Sequence, residues 1–128
     1  NMGTRFIATK EAPVHQNVKE SLVAASELDT RLIMRNLRNT ERVLANEAVD
    51  KLMEKEKKLG ENLKFEDIVE EVAGVYPSIM LDGEMDAGAW SCGMVAGLIN
   101  DIPSVEELVA NIIREAEDII RGRLKAVL

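Results

Sequence analysis

The sequence predicts a mainly α-helical fold, α+β at most, and three observations support this class. Only four of the 128 residues are aromatic, so the 46% hydrophobic share comes chiefly from Val, Ile, Leu, Ala and Met. That mixture suits helix packing and argues against a β-sandwich. Apolar residues also recur every three or four positions along much of the chain. The length is that of one small domain.

Two longer helices are predicted in the first half of the chain. The first follows Pro13 and carries apolar residues at helical spacing as far as Ala25. The second is capped by Asn39 or Thr40, because both side chains can accept a hydrogen bond from a free backbone N–H. Its apolar positions run to Gly60, which is typical of a C-terminal stop.

The segments around these helices give weaker patterns. Residues Asn1 to Thr9 are expected to form a strand end followed by a turn at Gly3. Arg31–Leu37 fits either a short buried strand or a helical turn, and the pattern does not decide between them. A short helix is predicted from Phe65 to Ala73, ending at Gly74.

The last third of the chain contains the strongest helix signal. Val75–Gly88 is rich in Pro, Gly and acidic residues and predicts a loop or a strand fragment with loops. Ala89–Ile99 is predicted to be a buried helix. Ser104 and Glu107 then form a capping-box pattern. The apolar residues that follow, up to Val127, predict one continuous helix with an apolar stripe.

The charge balance limits the choice of partners. The net charge is −7, which argues against nucleic acid or an anionic membrane as the main partner. Residues 1–46 carry +2 and residues 47–128 carry −9, so an anion site is expected in the first third. The longest uncharged run, which contains Ala87–Ile99 and ends before Asp101, is shorter than the roughly 20 residues of a membrane-spanning helix.

Cys92 is the only cysteine, so it has no intramolecular disulfide partner. Together with the absence of a signal-peptide pattern, this predicts a cytoplasmic protein. No basic residue adjoins Cys92 to lower the pKa of its thiol, so we interpret it as a packing residue rather than a nucleophile.

Two patterns in the first third could bind an anion, and each has a plainer interpretation. Gly3-Thr4 after an apolar segment could cradle a phosphate through backbone N–H groups and a hydroxyl, but such a pair is more often an ordinary turn. Four arginines would form a basic stripe on an unbroken helix; these are Arg31, Arg35, Arg38 and Arg42. We interpret that stripe as a solvated or salt-bridged face.

Metal binding is not predicted. The acidic segment Asp82–Asp86 has the alternation of a calcium loop, but Ala87 and Gly93 stand where the turn glycine and the bidentate glutamate belong. His15 is the only histidine and has no Cys or second His with which to share a metal. We interpret His15 as a surface residue near a helix start.

Trp90 and Ser91 lie in a stretch of small residues flanked by Gly88 and Gly93. Small residues allow another backbone to pack closely, which predicts a tight crossing in a core. The same stretch could instead present one flat apolar surface and one hydroxyl to a cavity. The residues alone leave both interpretations open.

Three motifs, in order, resemble the C-terminal portion of the nitronate monooxygenase family, formerly called 2-nitropropane dioxygenases. The first is Asn1–Glu11, followed by Pro13-Val14-His15. The second is Leu32–Thr40, and the third is Gly88–Ile99. The match spans essentially the whole chain and is loose only between about residues 45 and 85.

The resemblance implies an FMN-dependent (β/α)8 TIM barrel with a smaller helical domain inserted near its end. Residues 1–28 would then supply the last barrel strand, a phosphate turn and the following helix. Residues 29–88 would form the inserted helical domain on the substrate side, and residues 89–128 the closing helices of the barrel. Such a barrel takes about 250 residues, so this chain can hold only its last part.

The resemblance also implies roles for individual residues. Met2, Gly3 and Thr4 match the family stretch that holds the FMN phosphate. Ser91 and Trp90 match residues facing the cavity of flavin and small-molecule substrate. The family's catalytic histidine lies in an upstream Ala-Gly-His stretch that this sequence lacks, and His15 is not its equivalent. No catalytic residue is therefore expected in this chain.

Several functions remain open. The first is oxidation of alkyl nitronates with oxygen by the parent enzyme. Related alternatives are an NADH:quinone reductase and a flavin-dependent enoyl-acyl-carrier-protein reductase. A hypothesis of another class is a catalytically inactive helical fragment whose exposed apolar surface favours a homodimer.

Overall fold

The computed structural model describes residues 2–125 and 127, and most of them are helical, with one small β-hairpin, as the predicted fold class requires. The helices and strands, in chain order, are α1 (Gly3–Ile7), α2 (Gln16–Ala24), β1 (Thr30–Ile33), β2 (Glu41–Leu44), α3 (Glu47–Leu59), α4 (Val69–Ala73) and α5 (Val105–Ile119). Single helical turns at 27–29, 60–62, 65–67, 75–79, 94–98 and 120–124 connect or extend them.

Helices α2 and α3 confirm the two predicted helices, although α3 begins later than predicted. His15 caps α2, and its Nδ1 accepts a hydrogen bond from the backbone N–H of Asn17 at 3.1 Å. Gly60 ends α3 with a φ of 55°, a left-handed conformation that favours glycine. The short helix predicted from Phe65 is divided into one helical turn and α4.

The β-hairpin shows that residues 31–33 of the ambiguous segment form a strand and that its last residues lie in a turn, and it corrects the predicted start of α3. Strands β1 and β2 pair antiparallel, with Thr30 opposite Leu44. The prediction that Asn39 or Thr40 caps a helix was wrong, because the residues that follow extend along β1. The helix begins only after Asn46, whose side chain accepts from the N–H of Val49 at 2.9 Å.

The amino-terminal strand end was also predicted wrongly, since Gly3–Ile7 form the short helix α1. A strand needs a neighbouring strand to receive its backbone hydrogen bonds. The described residues provide none beside this segment. The backbone is instead satisfied locally, and the N–H of Phe6 donates to the carbonyl of Met2 at 3.4 Å. Asn1, the first residue of that prediction, lies outside the described residues.

The helix predicted over Ala89–Ile99 is absent, and this segment enters the sheet instead. The N–H of Leu44 donates to the carbonyl of Trp90 at 3.3 Å, and the N–H of Cys92 donates to the carbonyl of Arg42 at 3.0 Å. Residues 90–92 therefore extend along the free edge of β2. This pairing outweighs the local preference for helix, and only Met94–Leu98 form a helical turn.

The loop between α4 and this segment is closed at its base by two glycines. A Cβ atom on Gly74 would overlap the carbonyl oxygen of Ala87, and one on Gly88 would lie 3.0 Å from the backbone of Gly74. Neither position can take a side chain without a shift of the backbone. The loop at 75–87 therefore leaves and returns at nearly the same point.

Two clusters of buried side chains form the core. The first draws on all three segments predicted from the resemblance and consists of Ala8, Val18, Leu22, Leu44, Ile79, Trp90, Cys92, Ala96 and Ile99. The second comes from the predicted inserted domain and the residue after it, and consists of Ile33, Met34, Val43, Val49, Leu52, Leu63, Ile68 and Ala89. The three proposed segments are thus packed together, and their assignment to barrel and insertion stays a prediction.

Helix α5 begins as predicted at a capping box. The Ser104 hydroxyl accepts from the N–H of Glu107 at 3.1 Å, and the Glu107 carboxylate accepts from the N–H of Ser104 at 2.7 Å. Helical structure continues to Leu124; of the helix predicted up to Val127, residue 126 lies outside the described residues. Leu108 is the only buried residue of α5.

Candidate functional site

The start of the chain and the turn after Cys92 together line an open cavity. Its walls are Met2, Gly3, Thr4, Gly93, Met94 and Val95, and its volume is about 420 Å³. All three residues predicted to hold the cofactor phosphate therefore lie in one concave surface. Gly93 and the two residues after it were not predicted to take part, because their place depends on the pairing of residues 90–92 with β2.

Thr4 links the two sides of this cavity. Its hydroxyl oxygen accepts a hydrogen bond from the backbone N–H of Gly93 at 3.0 Å. A hydroxyl that accepts in this way still has its own proton to donate. An anion in the cavity could therefore receive a hydrogen bond from Thr4 while Thr4 stays fixed by Gly93.

Gly3 leaves space for an anion to approach the backbone. A Cβ atom added to Gly3 would meet nothing within 4 Å. The neighbouring guanidinium of Arg5 is held by Asp101, with Nη2 2.7 Å from Oδ1, and its side chain is only 14% exposed. Backbone N–H groups and the Thr4 hydroxyl are thus the donors that this cavity offers, which fits a phosphate group.

Ser91 lies two residues before Gly93 and is exposed. It forms a single antiparallel bridge with Val43 of β2. Its hydroxyl donates to the carboxylate of Glu41, at the start of the same strand. No sequence pattern pointed to Glu41, because its proximity to Ser91 follows from the register of residues 90–92 on β2.

Trp90 is placed differently from the expectation drawn from the resemblance. Its side chain is only 1% exposed and belongs to the first core cluster. Its indole N–H is buried without a hydrogen-bond partner among the described residues. The structure therefore favours the core interpretation of Trp90 and does not bring its side chain to the cavity near Thr4.

Cys92 is buried, and burial raises the pKa of its thiol to about 11. A thiol with so high a pKa stays protonated at neutral pH, so Cys92 is a packing residue, as predicted. His15 lies near a helix start, as predicted, but it is partly buried rather than on the surface, because its imidazole occupies the space beside Gly83.

The basic stripe does not form, because its residues lie on a hairpin rather than on a helix. Arg31 is in β1 and Arg42 is in β2, whereas Arg35 and Arg38 lie in the turn between them. The side chains of the two strand arginines donate to neighbouring oxygens of Leu28, Thr30 or both. Within residues 2–125, none of the four forms an ion pair within 4 Å, whereas Arg35 and Arg38 are exposed, so the solvated alternative fits these two residues and the salt-bridged one does not.

The described part of the chain shows neither a metal cluster nor a membrane span. No group of three or more His, Cys, Asp or Glu side chains comes together there in a way that could hold a metal ion. In the acidic loop, the Asp86 carboxylate accepts from the N–H of Glu47 at 3.0 Å instead. None of the described helices has both the length and the apolar character needed to cross a bilayer.

A groove of about 560 Å³ adjoins the cavity and shares Met2 and Val95 with it. It lies between the start of the chain and α5, and Leu98, Leu108 and Ile112 line its apolar side. Leu98 is 82% exposed, so a large apolar side chain stands open beside the candidate site.

Comparison with known proteins identifies first the class and then the family. The chain is a mainly helical part of a TIM-barrel enzyme, because its structural neighbours are barrel enzymes that it matches along almost all of its own length. The nitronate monooxygenase family profile matches residues 1–115, and the chain belongs to this family.

Two solved structures illustrate the match. FabK from Thermotoga maritima is 28% identical, with a TM-score of 0.85, and the match covers 98% of this chain and 38% of that protein. A single-residue mutant of FabK from the same organism is 26% identical, with a TM-score of 0.77, and the match covers 98% of this chain and 36% of the mutant. The chain thus spans little more than a third of these relatives.

Proposed function

We propose that this chain is the cofactor-phosphate part of an FMN-dependent oxidoreductase. The observation that carries the proposal is the cavity of Met2, Gly3 and Thr4 with Gly93, in a chain of the nitronate monooxygenase family. TIM-barrel enzymes frequently bind phosphate in the loops after the last two strands and at a short extra helix. The short helix α1 begins at this cavity.

The residues of this chain would bind and orient the cofactor. Backbone N–H groups beside Gly3 and the hydroxyl of Thr4 would donate to the phosphate, and Gly93 would hold Thr4 in place. Bound FMN would supply the electron-transfer chemistry, which the amino-acid side chains cannot provide. The catalytic histidine expected from the resemblance is not in this chain, so its residues position the cofactor and leave proton transfer to others.

The test compares FMN with riboflavin, which lacks the phosphate. In the flavin-binding protein that contains this chain, Thr4→Ala should weaken FMN binding about ten- to a hundredfold, because a hydrogen bond to a charged group contributes roughly 1.5–3 kcal/mol. Riboflavin binding should change little. Thr4→Ser keeps the hydroxyl and serves as the matched control. Equal losses for both flavins would place the phosphate elsewhere and contradict the proposal.

Oxidation of alkyl nitronates with oxygen is the first candidate reaction, and the family to which the chain belongs supports it. Reduction of an enoyl-acyl-carrier protein, or of a quinone by NADH, is the second, and the similarity to FabK supports the enoyl reductase. Anaerobic reduction of the flavin by NADH, compared with aerobic turnover of a nitronate, separates the two. A protein that reacts with neither contradicts both.

A candidate of another class is a self-associating helical piece without activity. Five large apolar residues of α5 and its extension are 44–60% exposed, namely Val109, Ile113, Ile119, Ile120 and Leu124. Such a continuous exposed face is typical of a surface that another polypeptide covers. Sedimentation of the chain alone tests this: a homodimer that Ile113→Glu dissociates supports the candidate, and a monomer at all concentrations contradicts it.

The expected cytoplasmic location belongs to the same proposal. The thiol of Cys92 is free and buried, which agrees with a reducing compartment.

A further inference from the structure

Helix α1 carries Gly3 and Thr4 at the phosphate cavity, but it is too short to hold itself there. It has five residues, its amino end has no side-chain cap, and none of its residues is buried. The hydrogen bond from the N–H of Phe6 to the carbonyl of Met2 is long, at 3.4 Å. Isolated helices of this length are not stable in water, so the position of α1 must come from contacts with other segments.

The two ends of α1 are anchored differently. Its carboxyl end leads directly into Ala8, which is fully buried in the first core cluster. Its amino end lines the cavity and is held by polar contacts. The hydroxyl of Thr4 accepts from the N–H of Gly93 at 3.0 Å, and the next residue, Arg5, forms an ion pair with Asp101. These polar contacts therefore decide how the amino end of the helix is oriented in the cavity.

The contact between Arg5 and Asp101 consists of two separate bonds. Nη2 of Arg5 donates to Oδ1 of Asp101 at 2.7 Å, and Nη1 donates to the backbone carbonyl of Asp101 at 3.1 Å. Because the guanidinium is planar and rigid, the two bonds fix its direction as well as its distance. The Arg5 side chain is largely buried, so its position is fixed although the carboxylate of Asp101 is exposed.

Gly93 and Asp101 lie at opposite ends of one short segment, which forms the other wall of the cavity. The helical turn between them contributes Val95 to that wall, and Ile99 anchors the segment in the first core cluster. Two neighbouring residues of α1 thus reach two points of a firm support that are eight residues apart in the sequence. One contact alone would leave the helix free to pivot about it, whereas two contacts fix its orientation.

The guanidinium of Arg5 is not itself part of the cavity. Arg5 and Asp101 line the adjoining groove, and neither is among the described residues that line the cavity. The carboxylate of Asp101 also neutralises the charge of Arg5, so the pair adds little net charge near a bound phosphate. The contribution of the pair to this cavity is therefore geometric.

We propose that Arg5 is a positioning residue for the cofactor phosphate: its two bonds to Asp101 hold the amino end of α1 so that the backbone of Gly3 and the hydroxyl of Thr4 converge on one phosphate group. The inference rests on the proposed function and deepens it, since it names the interaction that prepares the same cavity for its ligand. Donors that are already in place lose less conformational freedom when the ligand binds. Loss of the pair therefore weakens the binding of the phosphate and leaves the rest of the flavin unaffected.

The test compares the dissociation constants of FMN and riboflavin, measured from the quenching of flavin fluorescence in the flavin-binding protein that contains this chain. Asp101→Ala removes one of the two bonds and should weaken FMN binding about three- to tenfold, the contribution of one ordinary hydrogen bond. Riboflavin binding should change little, because riboflavin has no phosphate. A merely structural role of the pair would weaken the binding of both flavins alike.

The direction of the change distinguishes positioning from direct attraction. If Arg5 bound the phosphate itself, Asp101→Ala would release its charge and FMN would bind more tightly. Asp101→Asn keeps an oxygen that can accept from Arg5 and should retain most of the preference for FMN. Arg5→Lys keeps the charge but lacks the planar fork that makes both bonds, so it should lose part of the preference.

Lys10→Ala provides the matched control. Lys10 pairs with Glu107 at 3.2 Å and, like Arg5, joins the start of the chain to a residue near α5 or within it. Both side chains of this second pair are more than half exposed, and neither lines the cavity. Lys10→Ala should therefore leave the ratio of the FMN and riboflavin dissociation constants unchanged.

The outcomes separate this inference from the proposed function. An unchanged ratio in Asp101→Ala, or tighter FMN binding, overturns the inference alone when Thr4→Ala still lowers the preference for FMN. Equal losses for both flavins in Thr4→Ala overturn the proposed function. Circular dichroism shows whether each variant keeps its fold. If Asp101→Ala does not fold, Arg5→Lys decides, and an unchanged ratio in that variant overturns the inference.

Discussion

The segment from Trp90 to Gly93 is hydrogen-bonded to the rest of the chain on two sides, whereas helix α5 is attached to it chiefly at one end. The segment is held by hydrogen bonds to β2 on one side and to Thr4 on the other, and two of its four residues are buried. Helix α5 is attached chiefly at its first turn, where Glu11 accepts from the N–H of Val105 and Lys10 pairs with Glu107 at 3.2 Å. Beyond Ile112 the helix is exposed on every side.

This difference shows which parts of the chain form a complete structural unit. The support for the proposed cofactor and substrate residues lies within the chain, because β2, the 90–93 segment and α1 hold one another. The apolar face of α5 has no such support among the described residues. Interactions with another polypeptide should therefore matter for α5 far more than for the segment.

The largest expected effect comes from truncation of the buried side chain in the segment. Trp90→Ala should lower the free energy of unfolding by about 3–5 kcal/mol, because it leaves a large cavity in the first core cluster. Urea unfolding of the purified chain measures the change. Ile113→Ala in α5 is the matched control and should change it by less than about 0.5 kcal/mol, because that side chain is exposed. Similar losses of unfolding free energy in both variants would contradict the difference between the 90–93 segment and α5.

A smaller effect is expected where two backbones cross next to the segment. Gly74→Ala should lower the free energy of unfolding by about 1–3 kcal/mol, because the new methyl group overlaps the carbonyl of Ala87. Gly122→Ala, in the helical extension of α5, meets nothing within 4 Å and should instead stabilise the helix slightly. Thermal unfolding distinguishes the two. A Gly74→Ala variant as stable as the original chain would show that the crossing is looser than described.

The attachment of α5 at its first turn can be weakened separately. Ser104→Ala removes the hydroxyl that accepts from Glu107 and should cost about 1 kcal/mol. Because only α5 depends on this cap, hydrogen exchange should increase in α5 and stay unchanged in residues 90–93. Ser104→Thr keeps a capping hydroxyl and should restore most of the protection. Increased exchange in both regions would indicate that α5 and the segment unfold together.

The smallest effect is a dependence on pH at the same turn. The backbone N–H of Ser104 and the ammonium of Lys10 lower the pKa of Glu107 below its ordinary value. A lowered folded-state pKa stabilises the fold above the unfolded-state pKa, and this contribution disappears as pH falls through the lowered value. Stability measured between about pH 5 and pH 3 should therefore fall less steeply for Glu107→Gln. Glu106 makes neither of these contacts, so Glu106→Gln is the control. The same dependence of stability on pH in the original chain and in both variants would contradict the prediction.

Sequence patterns predicted the secondary structure correctly where it depends on interactions between residues close together in the chain. The capping box at Ser104, the apolar spacing of α2 and the stop at Gly60 all act within one helix, and these predictions were confirmed. The segment Ala89–Ile99 was predicted wrongly because its conformation depends on a strand about fifty residues away. Pairing with β2 decides its structure, and no local pattern reports that pairing.

Contacts between segments far apart in the sequence also limit how much of the site can be predicted. The motif at Met2–Thr4 could be named from the sequence, and the structure adds Gly93 as the group that holds Thr4. Glu41 could not be named, because its contact with Ser91 exists only in the register between two distant segments. Trp90 was ambiguous in the sequence, and the structure places it in the core.

The closure of the 75–87 loop by Gly74 and Gly88 has a consequence for how proteins of this kind diversify. Since the two ends of the loop already meet, residues inserted between them add only a slowly growing entropic cost and need not move the strand edge that carries Ser91. The exposed part of the loop, at Leu81 and Asp82, can therefore change in length and composition while Ile79 keeps its place in the first core cluster. It is a natural position at which to graft a foreign segment, or at which evolution could alter substrate choice without rebuilding the cofactor site.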